Sequence, residues 1–153
     1  MARVIVRNAT IADVGDAHAL IRELGYGGLD EETFSHNFAS VLADPEQRVL
    51  LAERDGRVVG LMSLGTRPQL RLAGFVMSID ELVVTEAARG AGIGTKLLEC
   101  AKAEAARIGA RRLELHTARG RPSYERGFYT KHGFTEVDSA VMRWEGGFSV
   151  VTR

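Results

Sequence analysis

With 153 residues, 45% hydrophobic and 26% charged, the chain has the composition of a soluble globular protein and the length of one domain, 1–153. Twenty basic and twenty acidic side chains cancel, so the balance argues against nucleic-acid and membrane partners. Its one cysteine, Cys100, excludes an intrachain disulfide and a multi-cysteine zinc cluster, and fits a reducing cytoplasm.

A chain of this length can bury about 68–70% of the surface that its unfolded form exposes. The N-terminal MARVIVRNATIAD lacks the apolar core of a signal peptide, and no stretch reaches the ~18 apolar residues of a membrane span. Residues 30–55 carry seven acids and two bases, and residues 107–131 carry seven bases and two acids; solvated surface accounts for both most simply. None of His18, His36, His116 and His132 falls at a ligand spacing such as H-x₃-H, so no metal is expected.

In chain order, RVIVR (3–7) reads as a strand. Thr10 and Asp13 form a capping-box pattern ahead of a helical stripe of Val14, Ala17, Ile21 and Leu24 that stops at Gly25. A glycine turn, GYGG, leads to a second helix carrying Phe34, Phe38, Val41 and Leu42 on one side and ending at Pro45. Residues 47–54 and 57–64 are strands joined by Asp55-Gly56, a hairpin signal. GTRPQLR reads as a polar connection before the apolar run LAGFVMSIDELVV, which ends at Val84. Ile93, Leu97, Ala101, Ala105 and Ile108 define a helix over 93–108, closed by Gly109. RRLELHT reads as a strand, PSYERGFYTKHG as a short helix, and FTEVDSAVMRWE as a last strand or strand pair. The order is that of a mixed α/β domain with a largely antiparallel first half.

RGAGIGTK (89–96) follows a strand and precedes that helix. The first amides of a helix lack internal partners and its dipole leaves them partly positive, so the turn is suited to an anion. Glycines allow close approach and positive φ, and Arg89 can add a charged donor. A phosphate loop of the nucleotide type needs lysine before the hydroxyl residue, and here Lys96 follows Thr95. A dinucleotide turn needs G-x-G-x-x-G directly off the strand, and this one is G-x-G-x-G. The pattern that matches is R-x-x-G-x-G, at Arg89, Gly92 and Gly94.

With that pattern in IDELVVTEAARGAGIGTKLLECA, the sequence resembles the GNAT superfamily of acetyl-CoA-dependent N-acetyltransferases. VRNATIADV is similar to the family's first strand and helix. FYTKHGFTEV is similar to its C-terminal Y-x-x-x-G-F segment, at Tyr129 and Gly133-Phe134. The resemblance implies a central, mostly antiparallel sheet of six or seven strands with about four helices, splayed between the fourth and fifth strands around the cofactor. It implies that the backbone of Leu82, Val83 and Val84 meets the pantetheine. Residues Arg89, Gly90, Ala91, Gly92, Ile93, Gly94 and Thr95 would hold the pyrophosphate. Acetyl-CoA would be the co-substrate, with no metal.

Acetyl transfer to an amine needs a base for the ammonium, a donor for the tetrahedral oxyanion and an acid for the thiolate. Adjacent Asp80 and Glu81 are the candidates for the base. Alternation sends them to opposite faces unless a bulge intervenes; the resemblance favours Asp80, and Glu81 has the longer reach. A salt-bridged or solvated pair is the plain alternative. An amide near Val83 is the expected oxyanion donor. Tyr129 matches the family's general acid, against the alternative of a tyrosine merely packed on the core. Tyr124, on another helical face, is not chosen. Pro122 and Glu125 replace an asparagine and an alanine frequent in the family, which weakens side-chain contacts to CoA there. Cys100 reads as a small packed side chain rather than a nucleophile.

The resemblance implies a small-molecule or peptide amine as acceptor, lined by residues 25–32 and 65–72. Acids at 30–32 favour a polycation, whereas Arg67 and Arg71 favour an acceptor bearing a carboxylate or phosphate. The competing reading is a CoA-binding sensor of the same fold without turnover. Homodimerisation through the C-terminal strands follows by analogy alone.

Overall fold

The computed structural model describes residues 3–25 and 29–146; the rest of the GYGG turn, 26–28, lies outside them. The chain divides after His116 into two compact units. In the first unit the strands are β1 (Val4–Asn8), β2 (Gln47–Arg54), β3 (Arg57–Gln69), β4 (Gly74–Val84) and β5 (Arg112–Leu115), and the helices are α1 (Val14–Glu23), α2 (Glu31–Ala43) and α3 (Ile93–Ile108). The sheet runs β1-β2-β3-β4-β5, antiparallel except for the parallel β4–β5 pair.

Each junction has a local cause. The Thr10 amide donates to Asp13 at 2.7 Å, and Arg7 grips the same carboxylate with two 2.8 Å hydrogen bonds, tying β1 to the start of α1. Asp55 and Gly56, at φ 53° and 74°, give the twist a two-residue hairpin requires. Gly109 ends α3 at φ 68°, and its amide closes the last turn.

The two faces of the sheet carry separate cores. On one, Ala17 and Leu20 of α1 and Phe34 and Phe38 of α2 pack on Val49, Leu51, Leu61 and Val83. On the other, α3 turns Ile93, Leu97, Leu98 and Ala101, all buried, onto the sheet. Gly60 sits beneath α3: a Cβ there would lie 3.3 Å from Ala52 Cβ, Ile93 Cγ2 and Leu97 Cδ1. The missing side chain lets the start of α3 approach β3 closely.

Three expectations are corrected. GTRPQ is not a connection but the end of β3, which pairs with β4 as far as Gln69 opposite Gly74. Proline is tolerated there because β2 stops pairing at Gln47 opposite Gly65, so Pro68 has no ladder to serve on that side. The stretch 122–133 is two short helices, α4 (Pro122–Glu125) and α5 (Phe128–Lys131), separated by Gly127 at φ 71°. Residues 134–146 enter no ladder, so five strands form among the described residues rather than six or seven. Alternating apolar residues make a strand only beside an edge that takes their N–H and C=O groups, and no described strand pairs with this segment. Within the second unit, Glu136 holds it near α4, accepting from Tyr124 Oη at 2.9 Å and Arg119 Nε at 2.9 Å.

Candidate active site

β4 has two halves. Val76 to Ile79 pair with Arg112 to Leu115 of β5, and that ladder ends at Ile79–Leu115. From Asp80 to Val84 the strand keeps β3 on one side and has no β5 partner on the other. Thr85 donates its amide to Val59 on β3 at 2.8 Å. Because strand amides alternate, Val83 also turns its N–H toward β3, while Leu82 and Val84 present theirs to the open edge. The amides near Val83 that face the open edge are therefore those of Leu82 and Val84.

At the same point β4 is bulged. Ser63 lies opposite Glu81 and Leu64 opposite Ile79, leaving Asp80 as an extra residue. A bulge sets two residues against one, so strict alternation fails here. Asp80 and Glu81 both lie on the α1–α2 face of the sheet. Asp80 accepts from Ser78 Oγ at 2.9 Å, and its Oδ2 would be 3.1 Å from a Cβ on Gly65. Glu81 is bonded to Ser63 twice: its amide donates to Oγ at 3.0 Å, and the hydroxyl donates to its carboxylate. Burial, and then the charge of Asp80, push the Glu81 carboxyl above its ordinary range. Ser63 itself is buried.

Beyond Val84 a single 3-10 turn (Glu86–Ala88) leads to the glycine turn. Gly90 and Gly92 hold φ of 81° and 79°, and added Cβ atoms there would meet nothing within 4 Å, so the glycines serve backbone shape and open access. The amides of Gly92, Ile93 and Gly94 donate to no backbone carbonyl among the described residues; Lys96 opens the helical ladder with a 3.0 Å bond to Gly92. Arg89 folds back on the strand, its Nε on the Val84 carbonyl at 2.9 Å and its guanidinium 3.9 Å from Glu23. Lys96 Nζ donates to the Val4 carbonyl. The turn is thus clamped from both ends while its central amides stay open.

Tyr129 lies on α5 in the second unit, half-buried and edge-on to Phe128 and Phe134 at ring distances of 5.1 and 6.2 Å. Burial pushes its phenol above the ordinary value, opposed by a hydrogen bond with Ser123 and by Arg121 and Arg126. Tyr124 is engaged by Glu136. Cys100 is half-buried and lines a cleft of about 320 Å³ between β1, β2 and α3. That cleft is on the opposite face of the sheet from the bulge, and its charged lining is already paired, with Glu104 between Arg48 at 2.8 Å and Arg107 at 2.5 Å. No group of three potential metal ligands occurs among the described residues, and no described helix is long and apolar enough to cross a membrane.

Sequence reasoning missed Ser63, Ser78 and Gly65. The one available signal was a hydroxyl inside the apolar run VVGLMSL; the bulge that gives it a purpose is visible only in the register.

An exposed strand edge running into an anion-receptive helix N-terminus suits a long phosphorylated cofactor. The paired acids beside that edge suit removing a proton from an incoming nucleophile. Such a site belongs to group-transfer enzymes that use coenzyme A. The model of the acetyltransferase (GNAT) family matches residues 15–134, and the chain belongs to that family: it is an acetyl-CoA-dependent N-acetyltransferase. It is 40% identical over 131 residues to the aminoalkylphosphonate N-acetyltransferase of Salmonella typhimurium, covering 86% of this chain and 84% of that one. Among solved structures it resembles a transcriptional regulator from Bacillus halodurans (TM-score 0.84, 22% identity, 93% of this chain and 99% of that one). It also resembles an aminoglycoside N-acetyltransferase in complex with CoA (TM-score 0.82, 14% identity, 96% and 97%). At those identities the two structures show the fold alone.

Proposed function

We propose that this enzyme acetylates a small primary amine that also carries a phosphonate or similar anionic group, by direct attack within a ternary complex. The observation that carries the reading is the bulge: it gathers Asp80 and Glu81 on one face where β5 leaves β4. Support for the acceptor comes from the 40% identical relative, whose name specifies aminoalkylphosphonates, and from the bases Arg67 and Arg71 in the β3–β4 hairpin.

Acetyl-CoA supplies the activated acyl group. The amides of Gly92, Ile93 and Gly94, with Thr95, Arg89, Gly90 and Ala91 around them, hold its pyrophosphate, and the open edge of Leu82 to Val84 takes the pantetheine amides. The incoming ammonium gives a proton to Glu81, or to Asp80 beside it, and its nitrogen attacks the thioester carbon. A β4 amide stabilises the oxyanion. On collapse the carbon–sulfur bond breaks and Tyr129 protonates the thiolate; the second proton on the nitrogen leaves to solvent, which returns a proton to the Tyr129 phenolate. A phenol whose pKa is raised by burial stays protonated at neutral pH, as a proton donor must. A cytoplasmic location suits the single free thiol, and the exposed Val137, Val141, Met142 and Trp144 suit a homodimer.

The test is CoA-thiol release with 3-aminopropylphosphonate, butylamine, spermidine and an aminoglycoside as acceptors. A higher kcat/KM for the phosphonate than for the other three supports the reading; a preference for a polycation refutes it. Acetyl-CoA binding without thiol release for any amine would favour the sensor.

A further inference from the structure

The face of β3 that bears Ser63 continues past the bulge. Leu64 is buried and Thr66 lines a cleft with Met77 and Ile108, on the α3 side. Alternation therefore sets Ser63, Gly65 and Arg67 on the opposite face, the one shared by Ser78, Asp80 and Glu81. Between the acids and the arginine stands Gly65, where an added Cβ would lie 3.1 Å from Asp80 Oδ2 and 3.4 Å from Ser78 Oγ. The glycine's missing side chain lets the Asp80 carboxylate and the Ser78 hydroxyl lie close over β3. Arg67 begins about 7 Å further along β3 at the strand rise, and its side chain can lean back toward the acids. Arg67 is exposed and forms no ion pair among the described residues.

We infer that Arg67 is the specificity-determining residue for the acceptor, binding its anionic group while Asp80 and Glu81, on the same face beyond Gly65, receive its amine. A guanidinium fork matches two oxygens of a phosphonate or carboxylate at once. Opposite charges along one face of the sheet select a short zwitterion over a simple alkylamine, and orient its nitrogen toward the bulge. Arg71 lies off the strand, in the 3-10 turn Leu70–Leu72 at the hairpin tip, so its direction is not fixed by the same alternation. This assignment rests on the reading above that the acceptor is a small anionic amine.

The experiment compares kcat/KM for 3-aminopropylphosphonate and butylamine in the wild type, Arg67→Ala, Arg67→Lys and Arg71→Ala. Loss of a charge-assisted bidentate contact lowers Arg67→Ala activity on the phosphonate by about 10- to 100-fold through KM. Butylamine stays within about twofold of the wild type, and Arg67→Lys recovers part of the loss. Two results would overturn the assignment: an unchanged phosphonate-to-butylamine ratio in Arg67→Ala, or the selective loss falling on Arg71→Ala instead. If the wild type itself shows no preference for the phosphonate, the acceptor reading is what fails. A wild-type preference that survives Arg67→Ala removes Arg67 alone.

Discussion

Replacing Ser63 by alanine is expected to move the acid limb of the pH–rate profile upward. Glu81 must be ionised to accept a proton, and burial together with Asp80 raises its carboxyl above the ordinary range. Activity is therefore lost as pH falls through that raised value. The Ser63 hydroxyl favours the charged form by donating to the carboxylate, and also takes the Glu81 amide at 3.0 Å. A hydrogen bond to a charged group contributes roughly 1.5–3 kcal/mol, and one pH unit corresponds to about 1.4 kcal/mol, so losing the donor displaces the limb by about one to two units. Asp80→Asn is expected to do the opposite, because it removes the like charge that opposes ionisation of Glu81. The assay is kcat/KM by thiol release across pH 5–9 with one acceptor. The acceptor's own titration is common to all variants and cancels in the comparison. Ser63→Thr retains a hydroxyl and should restore the wild-type limb. Shifts of the same sign in Ser63→Ala and Asp80→Asn, or none in either, would refute the assignment of Glu81 as the base.

Two further expectations concern stability. Arg7 holds the Asp13 carboxyl down to about 2 from 3.8, an interaction fully present above pH ~4 and lost as pH falls through about 2. It contributes about 1–2 kcal/mol once the partial exposure of Arg7 is allowed for. Urea unfolding of Asp13→Asn should show that loss at pH 7 and a smaller one at pH 3; an equal loss at both would contradict the ion pair as its cause. Gly60→Ala forces Ile93 and Leu97 of α3 away from β3. An overpacking cost of about 1–3 kcal/mol, seen as a melting temperature lower by several degrees, is expected together with weaker acetyl-CoA binding. An unchanged melting temperature would show that α3 does not rest on Gly60.

Much of this architecture was legible in the sequence, for identifiable reasons. The stripe from Ile93 to Ile108 and the flanking glycines marked α3 to the residue, since a 3.6 period bounded by glycine has few other meanings. Asp55-Gly56 marked its hairpin in the same way. What resisted reading depended on partners distant in the chain. Pro68 looked like a connection because only the end of β2 makes a proline harmless there. Whether Asp80 and Glu81 share a face was open in the sequence because a bulge is a mismatch between two strands and leaves no mark on one. Ser63 drew no attention in the sequence, and only its register sets it against Glu81. The segment 134–146 has the alternation of a strand, and local pattern cannot say whether an edge will be there to receive it.

The central claim is that backbone amides at the start of α3 hold the pyrophosphate of acetyl-CoA. Amide NMR during titration with coenzyme A tests it most directly, with dephosphorylated pantetheine as the comparison. The account predicts large shifts at Gly92, Ile93 and Gly94 with coenzyme A, small ones with pantetheine, and weaker binding by Gly92→Ala, which strains a φ of 79°. Saturable binding of coenzyme A that leaves those amides unmoved would contradict it.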